Sequence, residues 1–97
     1  MIATSLGIAH FAERRFDQAA TYFEKALVQN PRFAVALRDL AASYAMLGEK
    51  GKAAATIRKV LEIEPQLTLT KLRARTQFYA ENWQGFAEGL RLAGLPE

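Results

Sequence analysis

The side chains of this sequence that could do chemistry are few, and their spacing keeps them apart. His10 is the single histidine, and no Asp or Glu stands at helical ligand spacing around it, so it reads as a histidine packed between helices. Glu62 and Glu64 are the nearest acid pair; two residues apart on a helix, they point away from each other and cannot work as a general acid and base without help from elsewhere. Gly48-Glu49-Lys50-Gly51-Lys52 has the glycines and lysines of a phosphate cradle. It lies between two helical patterns with no strand ahead of it, which marks an inter-helix turn instead. The absence of cysteine removes disulfides, thiolate metal sites and cysteine nucleophiles together. Arg14-Arg15 and the set Lys71, Arg73 and Arg75 are the densest basic spots. Lys71 and Arg75 share a helix face and could meet an acidic partner or a phosphate, although a solvated face is the plainer reading. Trp83, spaced to fall in line with Phe86 and Leu90, points to a core. The sequence therefore gives no catalytic residue, no cofactor and no metal ligand, and an enzyme is the class it disfavours most.

The elements that would position these side chains are helical. At 97 residues the chain is one domain, half of it apolar, with a net charge of +3 from scattered charges of both signs. That balance speaks for solubility more than for nucleic acid. No apolar run approaches the ~18 residues of a membrane span, and the start lacks the basic region of a signal peptide. The missing cysteines fit a reducing cytoplasm.

Apolar spacing predicts a first helix that is already under way at Met1 and runs to Phe11, a second over about 17–29, a third over about 33–47 and a fourth over about 50–63. The first has no cap ahead of it, so the chain is expected to be cut from something longer. Asp17 is placed to cap or to charge-complement the second helix. Ala19, Ala20, Phe23, Ala26 and Leu27 form its buried stripe; Leu37, Leu40, Ala41 and Tyr44 form that of the third, and Ala53, Ala54, Ile57, Val60 and Leu61 that of the fourth. Pro31 and Pro65 stop the second and fourth helices, and Gly48 suits the turn after the third. Beyond Pro65 the pattern loosens. Thr68 and Thr70 offer caps to a short fifth helix, and Asn82 offers one to a sixth bearing Trp83, Phe86, Ala87, Leu90 and Ala93 on one face. Gly85 and Gly89 inside that last helix each cost roughly 1 kcal/mol against alanine.

The two prolines lie 34 residues apart, and the segments before them share one grammar, the signature of stacked helical hairpins. The residues resemble the tetratricopeptide repeat family. Leu6-Gly7, Phe16, Ala19, Phe23, Ala26 and Pro31 match one repeat; Leu37, Leu40-Ala41, Tyr44, Gly48, Ala53, Ile57 and Pro65 match a second. Departures are Ala41 for glycine, Ile57 and Val60 for Phe and Ala, and His10 for Tyr. The tail is similar to the ending of bacterial class III adenylate or guanylate cyclases with a C-terminal repeat region, and of winged-helix regulators built likewise, through residues 89–97. That resemblance implies a natural C-terminus at Glu97 and a catalytic or DNA-binding domain upstream.

The expected fold is all-α: about six helices in a right-handed superhelical stack of antiparallel pairs, forming one domain over 1–97 with repeats over 1–33 and 34–67 and a degenerate capping hairpin over 68–97. By family analogy the first helix of each pair lines a concave groove. This assigns partner contact to Thr4, Ile8, Phe11, Val35, Arg38, Ala42, Met46, Arg73, Thr76 and Tyr79. The groove is mostly small and apolar, suited to an amphipathic helix or an extended peptide. It lacks the Lys and Asn that the carboxylate-clamp branch of the family would place at Thr4 and Ile8. The expected function is non-catalytic protein–protein interaction or scaffolding in a bacterial cytoplasmic signalling protein. Homo-oligomer assembly through an uncovered N-terminal hairpin is the alternative, with no membrane partner and nucleic acid disfavoured.

Overall fold

In the computed structural model, which describes residues 2–75 and 83–97, the chain forms six helices: α1 (Ile2–Ala12), α2 (Phe16–Gln29), α3 (Ala34–Met46), α4 (Lys50–Ile63), α5 (Leu69–Arg75) and α6 (Trp83–Ala93). No strand occurs among the described residues. The ends of the first four helices fall within a residue or so of those predicted by apolar spacing. The Asn82 cap and the Phe78-Tyr79 pair lie outside the described residues.

Two hairpins with one construction make up α1 to α4. After α1, Arg14 takes a left-handed backbone with φ of 62°, and the Arg15 N–H donates to the His10 carbonyl at 2.8 Å. After α3, Gly48 takes φ of 82°, and the Glu49 N–H donates to the Tyr44 carbonyl at 2.9 Å. Both turns close the helix end with an N–H that donates to the carbonyl five residues earlier, which satisfies a carbonyl the helix itself leaves open. Asp17 does not cap α2, whose N-cap is Arg15 without a side-chain bond; it sits in the first turn and complements the helix dipole. Thr68 does cap, its Oγ1 accepting the Lys71 N–H at 3.1 Å.

The centre of the molecule is α3, in which every residue from 36 to 43 is buried. It is packed by α2, α4 and α6, and its five buried or half-buried alanines between 34 and 45 let those helices come close. Phe23, Ala53, Ile57, Val60, Leu72, Phe86 and Leu90 complete the core around it. The broadest contact of α6 is with α3, whereas it meets α5 only briefly. The last residues turn back to α5: the Leu69 N–H donates to the Pro96 carbonyl at 2.8 Å, and Thr70 gives Glu97 O both its N–H and its hydroxyl. With α6 laid back over α3, the molecule measures 28 × 27 × 25 Å, nearly equal in all directions.

Candidate docking surface

The inner face is made by α1 and α3, and positions 34 residues apart on it correspond: Thr4 with Arg38, Ile8 with Ala42, Phe11 with Ala45. In the structure α6 lies against both helices of this set, at Phe11 of α1 and at Ala42 of α3. The Phe86 ring stacks on Phe11 at 3.8 Å with the planes 9° apart, and Phe16 meets Phe11 edge-on at 4.9 Å. At Gly89 the backbones of α6 and α3 touch: a methyl group added there would lie 2.8 Å from the Ala42 carbonyl oxygen. Phe11 is accordingly 3% exposed and Ala42 fully buried. Thr4 is buried too, with no hydrogen-bond partner for Oγ1 among the described residues.

Arg38 is a charged side chain of α3 that is only 7% exposed. Its Nη1 reaches Glu64 Oε1 at 3.5 Å, while Nε is buried without a partner among the described residues. The other oxygen of Glu64 takes Arg75 Nη1 at 2.9 Å. One carboxylate thus serves two guanidinium groups, and Arg38 has the longer, weaker share of it. Ile8, Val35 and Met46 are half-buried, and Arg73 is exposed. Thr76 and Tyr79 lie outside the described residues. The inner-face residues accessible to a partner without moving α6 are therefore Ile8, Val35, Met46 and Arg73.

The remaining candidates resolve as follows. His10 is half-buried and stacks on Tyr22 at 5.3 Å. Trp83 is half-buried against the core. Lys71 Nζ donates to the Gln66 carbonyl at 3.0 Å, so with Arg75 bound to Glu64 the basic face of α5 is partly spent on its own chain. These two cations border a cleft of about 660 Å³ in the elbow between α4 and α5, floored by Pro65, Leu67 and Ala74. Among the described residues no three His, Asp or Glu side chains converge as a metal site would need. On the far side of α3, Tyr44 donates its hydroxyl to Glu24 Oε2 at 2.6 Å. Burial first, then this hydrogen bond and the Glu24 charge, hold the phenol well above its ordinary pKa.

The residues that sequence reasoning missed are Phe86, Gly89 and Glu64. The first two were read as core and as a helix penalty. Their signal was the pair Gly85 and Gly89, four apart on one helix face, which is where a second backbone can approach.

Stacked antiparallel helix pairs, with no cluster of metal-ligating side chains among the described residues, define a helical-repeat scaffold. The sequence pattern described as Tetratricopeptide repeat matches residues 4–67, well over half of the chain; the chain belongs to the tetratricopeptide repeat family. No curated protein and no solved structure gives a significant match. Membership suggests protein–protein interaction or scaffolding, and nothing in the site shows catalytic activity.

Proposed function

We propose that the chain is a non-catalytic docking module whose inner face, α1 with α3, receives a protein partner. The observation that carries this reading is the face itself. It joins a half-accessible apolar side chain at Ile8 to a small-residue floor at Ala42 on which one helix, α6, is already seated, and it carries a buried cation at Arg38, which is the composition of a seat for a helix or peptide. Val35 and Met46 remain half-accessible at its two ends. The test is quantitative affinity capture with the wild-type chain and with a Val35→Asp/Met46→Asp variant of unchanged helicity. Proteins retained by the wild type and lost from the variant support the reading. Equal retention by both removes it.

The finer proposal makes this module the C-terminal regulatory part of a bacterial cytoplasmic signalling protein, with a class III adenylate or guanylate cyclase upstream, or a winged-helix regulator in its place. Its support is the resemblance of residues 89–97 to such endings, together with the lack of cysteine. No helix among the described residues is long and apolar enough to cross a membrane. The reading frame of the gene tests it; a frame encoding neither domain rejects it.

A second reading, assembly of like copies, has its own observation. α1 carries no Asp, Glu, Lys or Arg, and Leu6, Ala9 and Ala12 on its outer side are exposed. Two such faces could cover each other. Light scattering across concentration decides it, since a chain that stays monomeric has no use for that face in self-assembly.

A further inference from the structure

The helix that covers the inner face has the properties of a bound ligand. Two contacts trace α6 across the repeats, Phe86 against Phe11 of α1 and Gly89 against Ala42 of α3, and Gly94, just past its end, lies beside Ile57 of α4. The helix crosses the floor obliquely, with Phe86, Ala87, Gly89, Leu90 and Ala93 turned down and Gln84, Glu88, Arg91 and Leu92 turned out. This is the anchor pattern of an amphipathic helix laid in a groove. Alone it would be a poor helix. Eleven residues are fewer than an isolated helix needs, and two internal glycines disfavour it further. Its order comes from the surface beneath it.

Beside this apolar fit, one polar side chain of α3 is left short of partners. Arg38 is more than nine-tenths buried, its Nε lacks an acceptor among the described residues, and it holds Glu64 only at 3.5 Å while Arg75 takes that carboxylate at 2.9 Å. None of the five downward residues of α6 carries a side-chain acceptor. A buried cation left short of partners favours any occupant that brings one.

Building on the docking reading above, we infer that α6 is an internal ligand occupying the partner's seat, and that the partner is an amphipathic helix with an aromatic-x-x-glycine core and a carboxylate aimed at Arg38. The glycine is required where the partner crosses Ala42, because the backbones there leave no room for a Cβ. The carboxylate gives the partner what α6 lacks. Binding in trans then requires α6 to leave, and the observed affinity is the intrinsic one reduced by the fraction of chains in which the face is open.

The probes are synthetic acetylated peptides spanning residues 83–97 with Trp83→Phe, one unmodified further and three carrying a single Glu at position 87, 90 or 93. Trp83 is the single tryptophan of the chain and sits half-buried at the start of α6, so its emission reports whether α6 is docked. Peptide in excess is expected to shift the wild-type Trp83 emission to the red. Full-length chains with Gly89→Leu or Phe86→Ala, which loosen α6 in two different ways, should bind the unmodified peptide about tenfold tighter than wild type or more. One of the Glu peptides should bind tighter still, and lose that advantage on an Arg38→Gln chain. Loosened chains that stay helical yet bind no better than wild type overturn the inference, as does a wild-type emission that never moves. If no Glu peptide gains, or the gain survives Arg38→Gln, the carboxylate assignment falls. Doubling of mass in a loosened chain without peptide would make a second copy the occupant and overturn the partner assignment. The docking reading fails separately, through the Val35→Asp/Met46→Asp comparison.

Discussion

The two hairpins α1/α2 and α3/α4 are built on one plan and differ in what touches them. Leu6 and Leu40 occupy the same place in their repeats, yet Leu6 is 39% exposed and Leu40 6%. The difference lies in the neighbours: α3 is flanked by α2, α4 and α6, whereas α1 has α2 on one side and little on the other. Inner-face position 11 tells the complementary story. Phe11 reaches out to stack on Phe86 where its counterpart Ala45 keeps a low profile, so that α6 can descend onto α3 at Ala42. A repeat is thus a fixed backbone plan on which side-chain size follows what lies next to it.

The strongest test of this comparison makes the first repeat look like the second. Phe11→Ala copies the second repeat's residue into the first, and the prediction is a loss of about 3–5 kcal/mol in urea unfolding, the usual cost of deleting a buried Phe. Phe86→Ala should cost about as much, and the double variant less than the sum of the two, because the stacked pair is lost only once. Costs that add fully would mean that α6 does not depend on α1.

Next in size is the packing of each hairpin. A methyl group at Gly7 would lie 2.5 Å from the Phe23 ring; the second repeat has Ala41 and Ile57 at the matching places, a larger residue paired with a smaller one. Gly7→Ala should cost about 1–3 kcal/mol by overpacking. Gly7→Ala/Phe23→Ile, which imports the second repeat's pair, should cost less than its two singles together, read as a denaturant midpoint at unchanged slope.

Much of this was legible in the sequence. The 34-residue recurrence and the apolar spacing located α1 to α4 and most of their buried stripes, because those features follow from helix geometry and close packing within a hairpin. The assignment of Thr4, Phe11, Arg38 and Ala42 to partner contact came from family analogy, and in the structure these four side chains are buried. The covering by α6 was not legible, since it depends on where a later helix folds back, and nothing in local periodicity encodes that. Gly89 looked like a cost when only its own helix was considered. Arg38 read as a partner contact because Glu64, 26 residues on, is brought to it only by the stacking of α4. The overlooked clue at Arg14 was of another kind: a left-handed turn normally announces itself by glycine, and here it does not.

That turn sharpens the comparison at a smaller scale. Arg14 and Gly48 close equivalent helices with φ of 62° and 82°. Side chains other than glycine pay for this region through contact between Cβ and the backbone, on the order of 1 kcal/mol. Arg14→Gly should therefore raise stability by up to about 1 kcal/mol, reduced by the greater freedom of glycine in the unfolded chain. Gly48→Arg should lower it by a similar amount, both read from thermal or urea unfolding.

The smallest expected effect concerns position 10 and its counterpart 44. His10 stacks on Tyr22, whereas Tyr44 donates its hydroxyl to Glu24. The phenol of Tyr44 is held above its ordinary value by burial first and by Glu24 second, so the folded chain keeps this proton where the unfolded chain has released it. The stability this group contributes is present in full below the unfolded pKa of about 10 and is lost as the pH rises above it. In Tyr44→Phe that loss has no source. The prediction is a wild-type urea midpoint that falls more steeply than the variant's as the pH is raised from about 9 to about 11, with the two converging in slope below. Because Tyr44 is only half-buried, solvent screens the Glu24 interaction and the difference should be modest. Parallel curves across that range would mean that Glu24 follows the phenol rather than constraining it, and that the second repeat's tyrosine, like the first repeat's histidine, serves by packing alone.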